Sequence, residues 1–155
     1  SPTTSFRICS LIEKETIKEK PMIHFKEIGS ELLENIKDLY RGEGWTAYLN
    51  DDIRLKRAFD NSLYILGVFD NQELIGFIRC VGDGEHVVII QDIIIDAEHK
   101  RQGLGRELMN LVFEKYSSVR WIQLNTDISD ERANSFYRSL SMKKIEETGA
   151  ISYCR

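Results

Sequence analysis

The sequence predicts an α/β fold in which a mixed, mostly antiparallel central sheet is flanked by helices. Two β-forming runs, Leu63–Phe69 and Leu74–Val81, are separated only by a polar turn, which is typical of an antiparallel hairpin. A third run, His86–Ile95, leads through a glycine-containing loop into a helical pattern, and a further β-forming run follows at Val119–Asn125. An antiparallel meander that feeds one βαβ crossover accounts for this order, and the crossover is expected to be right-handed.

The N-terminal half carries one strand and two helices in this prediction. Met22–Ile28 has the alternation of a first strand, and Ser30 is the predicted N-cap of a helix that ends before Gly42. The apolar face of this helix consists of Leu32, Leu33, Ile36, Leu39 and Tyr40. A shorter helix is predicted from Asn50–Asp52 onward. Its inward-facing residues are predicted to be Ile53, Ala58 and Phe59.

The C-terminal half is predicted to carry two helices and the last strands. A helix from Leu104 to about Tyr116 has its apolar residues at helical spacing, namely Leu104, Leu108, Leu111 and Val112. The pattern predicts another helix over Asp130–Leu140 and two short closing strands between Met142 and Tyr153.

Composition narrows the class of protein. The 155 residues are 42% hydrophobic and 30% charged, which is ordinary for one soluble globular domain. A net charge of −4 argues against nucleic acid as a main partner, since a basic surface is expected there. Cys9, Cys80 and Cys154 lie far apart without a C-x-x-C pair, which favours free thiols in the cytoplasm and no metal site. No apolar run reaches the roughly 18 residues that span a bilayer, so no membrane association is expected.

Residues 1–21 differ from the rest of the chain. They carry both prolines, Pro2 and Pro21, and show little periodicity. We expect either a non-native extension or a plain N-terminal strand or arm, followed by a single domain over residues 22–155.

The segment with the clearest chemistry is the loop Lys100–Arg106. It joins the end of a strand to the start of a helix through Gly103 and Gly105, so several backbone N–H groups point outward at the positive end of a helix dipole. Such a site suits phosphate. A nucleoside-triphosphate loop requires Lys-Ser or Lys-Thr after the second glycine, and a dinucleotide fingerprint requires Gly or Ala where Leu108 stands. Neither pattern is met.

With those patterns excluded, the chain resembles the GNAT superfamily of acyl-CoA-dependent N-acyltransferases. The segment Lys100–Gly105 is similar to that family's Arg/Gln-x-x-Gly-x-Gly/Ala loop, and Asp130–Tyr137 to its Asn-x-x-Ala-x-x-Phe-Tyr segment. Glu73–Arg79 and Gln91–Ile95 look like the family's third strand and the end of its fourth. The departures are Lys100 for Arg or Gln, Asp130 for Asn, and Ser141-Met142 for Gly-Phe.

The resemblance implies acetyl-CoA as the acyl donor and assigns residues to hold it. The loop would cradle the diphosphate, backbone groups at the end of the fourth strand would pair with the pantetheine arm, and Asn134 would bond to that arm. The implied cofactor-binding residues are Ile93, Ile94, Ile95, Lys100, Arg101, Gln102, Gly103, Leu104, Gly105, Arg106, Asn134 and Tyr137.

Two residues are candidates for proton transfer. Tyr137 occupies the place of the family's usual acid and would protonate the departing thiolate; the alternative is an aromatic residue packed on the core. Asp92 is the candidate general base, since burial raises the basicity of a carboxylate; alternatively it simply pairs with Arg79.

Three residues are candidates for the acceptor pocket. Trp45 and Tyr48 lie in the loop between the first two helices, where they either cover the reacting amine or pack onto the core. Arg79 either binds an acidic group of the acceptor or pairs with Asp92 or Asp83.

The resulting hypothesis is an N-acetyltransferase, monomeric or homodimeric, that acts on a primary amine of a small molecule or peptide without a metal. The alternatives are a non-catalytic acyl-CoA sensor or partner-binding module of the same fold and, more distantly, a nucleotide-binding domain.

Overall fold

The computed structural model describes Lys20 and residues 22–155. The predicted extension over residues 1–21 therefore lies outside the described part of the chain, apart from Lys20.

A five-stranded sheet organises the described residues, with its strands in chain order. The strands are β1 (Ile23–Glu27), β2 (Tyr64–Asp70), β3 (Glu73–Gly82), β4 (Val87–Ile95) and β5 (Trp121–Leu124). The helices are α1 (Leu33–Glu43), α2 (Asp52–Asp60), α3 (Leu104–Lys115) and α4 (Glu131–Ser139). Strands β1 to β4 pair antiparallel, whereas β5 pairs parallel to β4 after the α3 crossover. The predicted fold class is confirmed. No helix in the described residues has the length and apolar character needed to cross a membrane.

Each face of the sheet carries its own hydrophobic cluster. On one face, α1 and α2 cover the strands, and Tyr40, Phe59 and Phe77 form the aromatic centre of this cluster. On the other face, α3 packs Leu108 and Met109 against the sheet, and both side chains are fully buried. Helix α4 packs less tightly on the protein than α3, because none of its residues is fully buried.

The ends of α1 differ from the prediction. Ser30–Leu32 forms a short 3-10 turn before the helix, and the hydroxyl of Ser30 donates to Asp60 at 2.6 Å instead of capping α1. The helix also continues through Gly42 to Glu43, and Gly44 caps its end with φ of +73°, the left-handed conformation that glycine adopts without strain.

The predicted position of α2 along the chain is confirmed, but the helix buries a different face from the one predicted. Asp51 caps it by accepting from the Arg54 amide at 3.0 Å. Its buried residues are Leu55 and Phe59, whereas Ile53 is 74% exposed, so the prediction that Ile53 points inward is wrong.

The two closing strands predicted between Met142 and Tyr153 are also wrong. The structure has a 3-10 turn over Ile145–Thr148 instead, and Gly149 follows it with φ of +85°. The apolar residues Ile151 and Tyr153, which lie within the predicted range, are 64% and 90% exposed.

A β-bulge at Gln91 sets the geometry of the site. Arg79 is opposite Asp92 and Cys80 is opposite Ile90, so Gln91 is the extra residue in β4. An extra residue reverses which face the following side chains point to. Ile90 therefore packs on the α3 face, but Asp92 points to the α1 face, where it meets Arg79.

Candidate active site

The parallel strands β4 and β5 separate beside the bulge at Gln91. Strand β5 pairs with β4 only over Val87–Ile90, so β4 beyond Ile90 has no neighbour on that side among the described residues. The amide of Asp96 donates to the Ile75 carbonyl of β3 at 2.8 Å. Because backbone groups alternate sides along a strand, the amides of Ile93 and Ile95 point into the opening. Ile94 points its amide toward β3, and its side chain is buried under α1.

The glycine loop lies directly after this opened strand. Gly103 is the N-cap of α3 with φ of +78°, and apart from its chain neighbours no atom of the described residues lies within 4 Å of the position that a Cβ would occupy. Gly105 is in the first turn, where a Cβ would contact Phe136 at 3.7 Å. Leu104 is buried, so it can offer only its amide. The unpaired amides of the first helical turn and the helix dipole make this loop suitable for a phosphate group.

The charged residues of the loop are not equivalent. Lys100 forms an ion pair with Glu43 at the end of α1, with an Nζ–Oε1 distance of 2.7 Å. Arg106 bonds Ser139 at 2.7 Å and lies over the Phe136 ring, so it joins α3 to α4. Arg101 and Gln102 are exposed. Arg101 has φ of +66°, so its backbone is in a region that side-chain-bearing residues rarely adopt.

A cavity of about 440 Å³ opens where β4 and β5 diverge. Its wall combines the two strand ends, the loop after α1 and the start of α4. The lining residues are Glu43, Trp45, Tyr48, Ile90, Gln91, Asp92, Ile93, Leu124, Asn125, Thr126, Asp127, Asp130, Ala133 and Tyr137. The structure therefore brings Trp45, Tyr48, Asp92 and Tyr137 together around one space, although they are far apart in sequence.

Tyr137 reaches this cavity from α4. Burial, and then the nearby charge of Asp130, raise the pKa of the Tyr137 hydroxyl above its usual value of about 10. The phenol therefore carries its proton throughout the physiological pH range and can donate it. The side chain is only half-buried, and it forms part of the cavity wall.

Asp92 lies at the centre of a buried polar network. Its Oδ2 atom accepts from Arg79 Nε at 2.6 Å and from the Tyr40 hydroxyl at 2.7 Å, while its Oδ1 atom accepts from the Tyr48 hydroxyl at 3.0 Å. Asp92 is 2% exposed. Tyr40 was predicted only as part of the apolar face of α1, and nothing in its spacing indicated a hydrogen bond to Asp92.

Arg79 belongs to the same network and not to the cavity wall. Its guanidinium binds Asp92 and, at 3.3 Å, the Ser62 hydroxyl, and it lies 5.0 Å from the centre of the Phe59 ring. Burial opposes the charge of Arg79, but the Asp92 carboxylate outweighs it and raises the pKa of the guanidinium. Of the two roles considered for Arg79, the structure shows the pairing with Asp92.

Trp45 and Tyr48 form the aromatic wall of the cavity. The Tyr48 ring stacks on Tyr40 with centroids 4.4 Å apart, and its hydroxyl also accepts from Gln91 Nε2 at 3.3 Å. Burial raises the pKa of the Tyr48 hydroxyl. Trp45 is 37% exposed although it is large and apolar, so one of its surfaces is open to solvent.

The side chain of Asn134 forms hydrogen bonds with the loop between β5 and α4. Its amide nitrogen donates to the carbonyls of Asp127 and Asp130 at 2.9 and 2.7 Å. These two bonds fix the loop that forms one side of the cavity. They occupy both hydrogens of the amide, so only its oxygen is left for another partner.

His99 ties the start of the glycine loop to the rest of the sheet. Its Nδ1 atom is 2.6 Å from Asp96, and its Nε2 atom is 3.0 Å from Asp70 at the end of β2. Burial opposes the charged imidazole, but the hydrogen bonds with Asp70 and Asp96 outweigh it and raise the pKa of His99.

Comparisons with known proteins agree with this geometry. A sequence profile of the Acetyltransferase (GNAT) family matches residues 30–142. An uncharacterized N-acetyltransferase of Prochlorococcus marinus is 32% identical over 119 residues, which are 74% of this chain and 64% of that relative, so the chain spans less than two thirds of its length.

Solved structures show the same fold. A GNAT family acetyltransferase from Streptococcus pneumoniae superposes with a TM-score of 0.75 at 30% identity, over 86% of this chain and 97% of that one. An aminoglycoside N-acetyltransferase solved in complex with CoA superposes with a TM-score of 0.68 at 14% identity, over 90% of this chain and 97% of that one.

Proposed function

The chain belongs to the GNAT acetyltransferase family, and from that premise we propose that it transfers an acetyl group from acetyl-CoA to a primary amine of a small molecule or peptide. The observation that carries the proposal is the opening between β4 and β5, which begins at the Gln91 bulge and lies beside the glycine loop. A long ligand with a phosphate group at one end and an extended arm fits this juxtaposition of sites.

The donor-binding residues follow from the two halves of this groove. The amides around Gly103 and Gly105, with the side chain of Arg101, would hold the diphosphate. The amides of Ile93 and Ile95 would pair with the pantetheine arm in the manner of an added strand. The fold neighbour that was solved with CoA supports an acyl-CoA donor.

The chemistry requires carbonyl polarisation and three proton movements: the substrate ammonium loses one proton before attack, the nitrogen loses a second one as the amide forms, and the sulfur gains one. When bound, the thioester supplies an acyl carbon that an amine attacks, so that a C–N bond forms as the C–S bond breaks. An amide of the opened strand would polarise the carbonyl oxygen. Tyr137 would give its proton to the departing sulfur and take up the second proton of the nitrogen as the amide forms. These groups are held on a helix and a strand, so we expect their fixed orientation to be the main source of the rate enhancement.

Asp92 would act as the base through Tyr48, because its carboxylate is buried and Tyr48 lines the cavity. The Tyr48 oxygen would accept a proton from the substrate ammonium while the Tyr48 hydroxyl passes its own proton to Asp92 Oδ1, which is 3.0 Å away. The amine would thereby gain the lone pair that it needs for attack.

The test is thiol release from acetyl-CoA in the presence of an amine panel. We expect release with at least one of small diamines, aminoglycosides, amino acids and N-terminal peptides, together with a product heavier by one acetyl group. Tight binding of acetyl-CoA without release for any acceptor would contradict the transferase proposal and favour the sensor. ATP or NAD displacing acetyl-CoA would favour a nucleotide-binding domain.

A further inference from the structure

The cavity wall is acidic, with no basic side chain. Four of the lining residues are carboxylates: Glu43, Asp92, Asp127 and Asp130. Among the described residues that line the cavity there is no lysine, arginine or histidine. An amino group that must react at this site would therefore enter a region of negative potential.

Two of these carboxylates already have cationic partners. Asp92 is paired with Arg79 at 2.6 Å, and Glu43 is paired with Lys100 at 2.7 Å. Neither pair adds net charge to the wall. The negative charge that remains is that of Asp127 and Asp130, which form no ion pair with any other described residue.

Asp127 and Asp130 are held in place by the fold. Both lie in the loop between β5 and α4, and Asn134 binds their carbonyls from the first turns of the helix. Asp130 also caps α4, since one carboxylate oxygen accepts from the Ala133 amide at 3.0 Å. Its other oxygen has no such partner in the described residues. The bonds from Asn134 fix the backbone that carries both residues, so less conformational freedom is lost when their carboxylates bind a cation.

Asn caps a helix as well as Asp does. A helix cap therefore does not require the charge found at Asp130. In the same cavity, the exposed surface of Trp45 and the ring of Tyr48 are also favourable to a cation.

We infer that the acceptor carries a second positive charge besides its reacting amine, and that Asp127 and Asp130 bind this second cation. The inference rests on the proposed acetyl transfer and names the class of acceptor as diamines and other polycationic amines. An acceptor with a carboxylate in place of the second amine is repelled by the same two residues.

Three acceptors of equal chain length test the inference: 1,5-diaminopentane, 1-aminopentane and 5-aminopentanoate. We expect kcat/KM for the diamine to exceed that for the monoamine by about tenfold, equivalent to about 1.4 kcal/mol, and the aminopentanoate to be the poorest. Added salt should reduce the diamine's advantage, because the loop is exposed and its charges are screened.

The variants Asp127→Asn and Asp130→Asn, alone and together, test whether the preference for the diamine comes from the loop between β5 and α4. The double variant should bring the diamine-to-monoamine ratio to about two, the statistical factor for two equivalent amines, and Asn at position 130 preserves the helix cap. The matched control is Glu146→Gln, which removes an exposed carboxylate from the 3-10 turn outside the cavity and should keep the native ratio.

Calorimetric binding of the same amines to the CoA-loaded protein separates this inference from the proposed function. Preferential binding of the diamine without thiol release would contradict acetyl transfer and leave the charge inference standing. Binding and kcat/KM for the diamine that exceed those for the monoamine by no more than the statistical factor of about two would overturn the inference while acetyl transfer stands. A diamine preference that survives in the double variant would also overturn it.

Discussion

At the scale of single residues, Tyr137 is the clearest test of the proposed chemistry. Tyr137→Phe removes the proton donor but keeps the ring that packs beside Phe136. We expect kcat to fall by about 10²-fold, because general acid catalysis contributes on that order or more. The Kd for CoA should change little. Thiol release and calorimetry measure the two quantities, and an unchanged kcat would exclude Tyr137 as the acid.

Arg79 provides a residue-scale prediction about stability. Arg79→Met leaves the Asp92 carboxylate buried without its cation, and breaking such a pair costs about 3–5 kcal/mol. The matched control is Lys56→Met, which breaks a pair whose side chains are 60% and 41% exposed and should cost less than about 1 kcal/mol. Denaturant unfolding measures both. Similar losses in the two variants would show that the buried pair is not a main source of stability.

At the scale of elements, the backbone conformation of the turn into α3 provides a test of the proposed CoA site. Gly103 and Gly149 both have left-handed φ angles and open space at the Cβ position. Valine at either position therefore costs a similar amount of stability, on the order of 1–2 kcal/mol. We expect only Gly103→Val to lose CoA binding, because Gly149 lies outside the groove. Normal CoA binding by folded Gly103→Val would show that the diphosphate binds elsewhere.

His99 contacts Asp70 at the end of β2 and Asp96 before the glycine loop, and these contacts predict that the free energy of unfolding depends on pH. His99 has a raised pKa in the folded state, so its stabilising charge is complete below the unfolded pKa of about 6.5 and is lost as pH rises through the folded value. Its facing groups are Asp70 and Asp96. We expect the free energy of unfolding to fall more steeply above about pH 6.5 in the native protein than in His99→Gln. Parallel curves would contradict this role.

At the scale of the whole molecule, donor binding should stabilise the fold. A ligand that binds only the folded chain at about 100 times its Kd adds about 2.7 kcal/mol to the free energy of unfolding. We expect CoA to raise the melting temperature accordingly, and ATP and NAD at equal concentration to raise it much less. Equal shifts for ATP and CoA would indicate a general phosphate site.

The order of the elements was predictable because it depends on local patterns. The strands from β2 to β4, the crossover through α3, and α4 all follow from apolar periodicity and turn residues, with ends that differ by one or two positions. The closing strands were wrong for the same reason: alternation at Ile151 and Tyr153 favours a strand, but a strand forms only when a neighbour pairs with it.

The chain alone determined the fold class, the glycine loop and the family resemblance, since each resides in a contiguous segment whose chemistry is local. Tertiary structure decided what surrounds Asp92 and what lines the cavity. One extra residue at Gln91 turns Asp92 toward Tyr40 and Arg79 and leaves the end of β4 without β5. A bulge reverses every side chain after it, and its presence depends on pairing between strands, which no local pattern specifies.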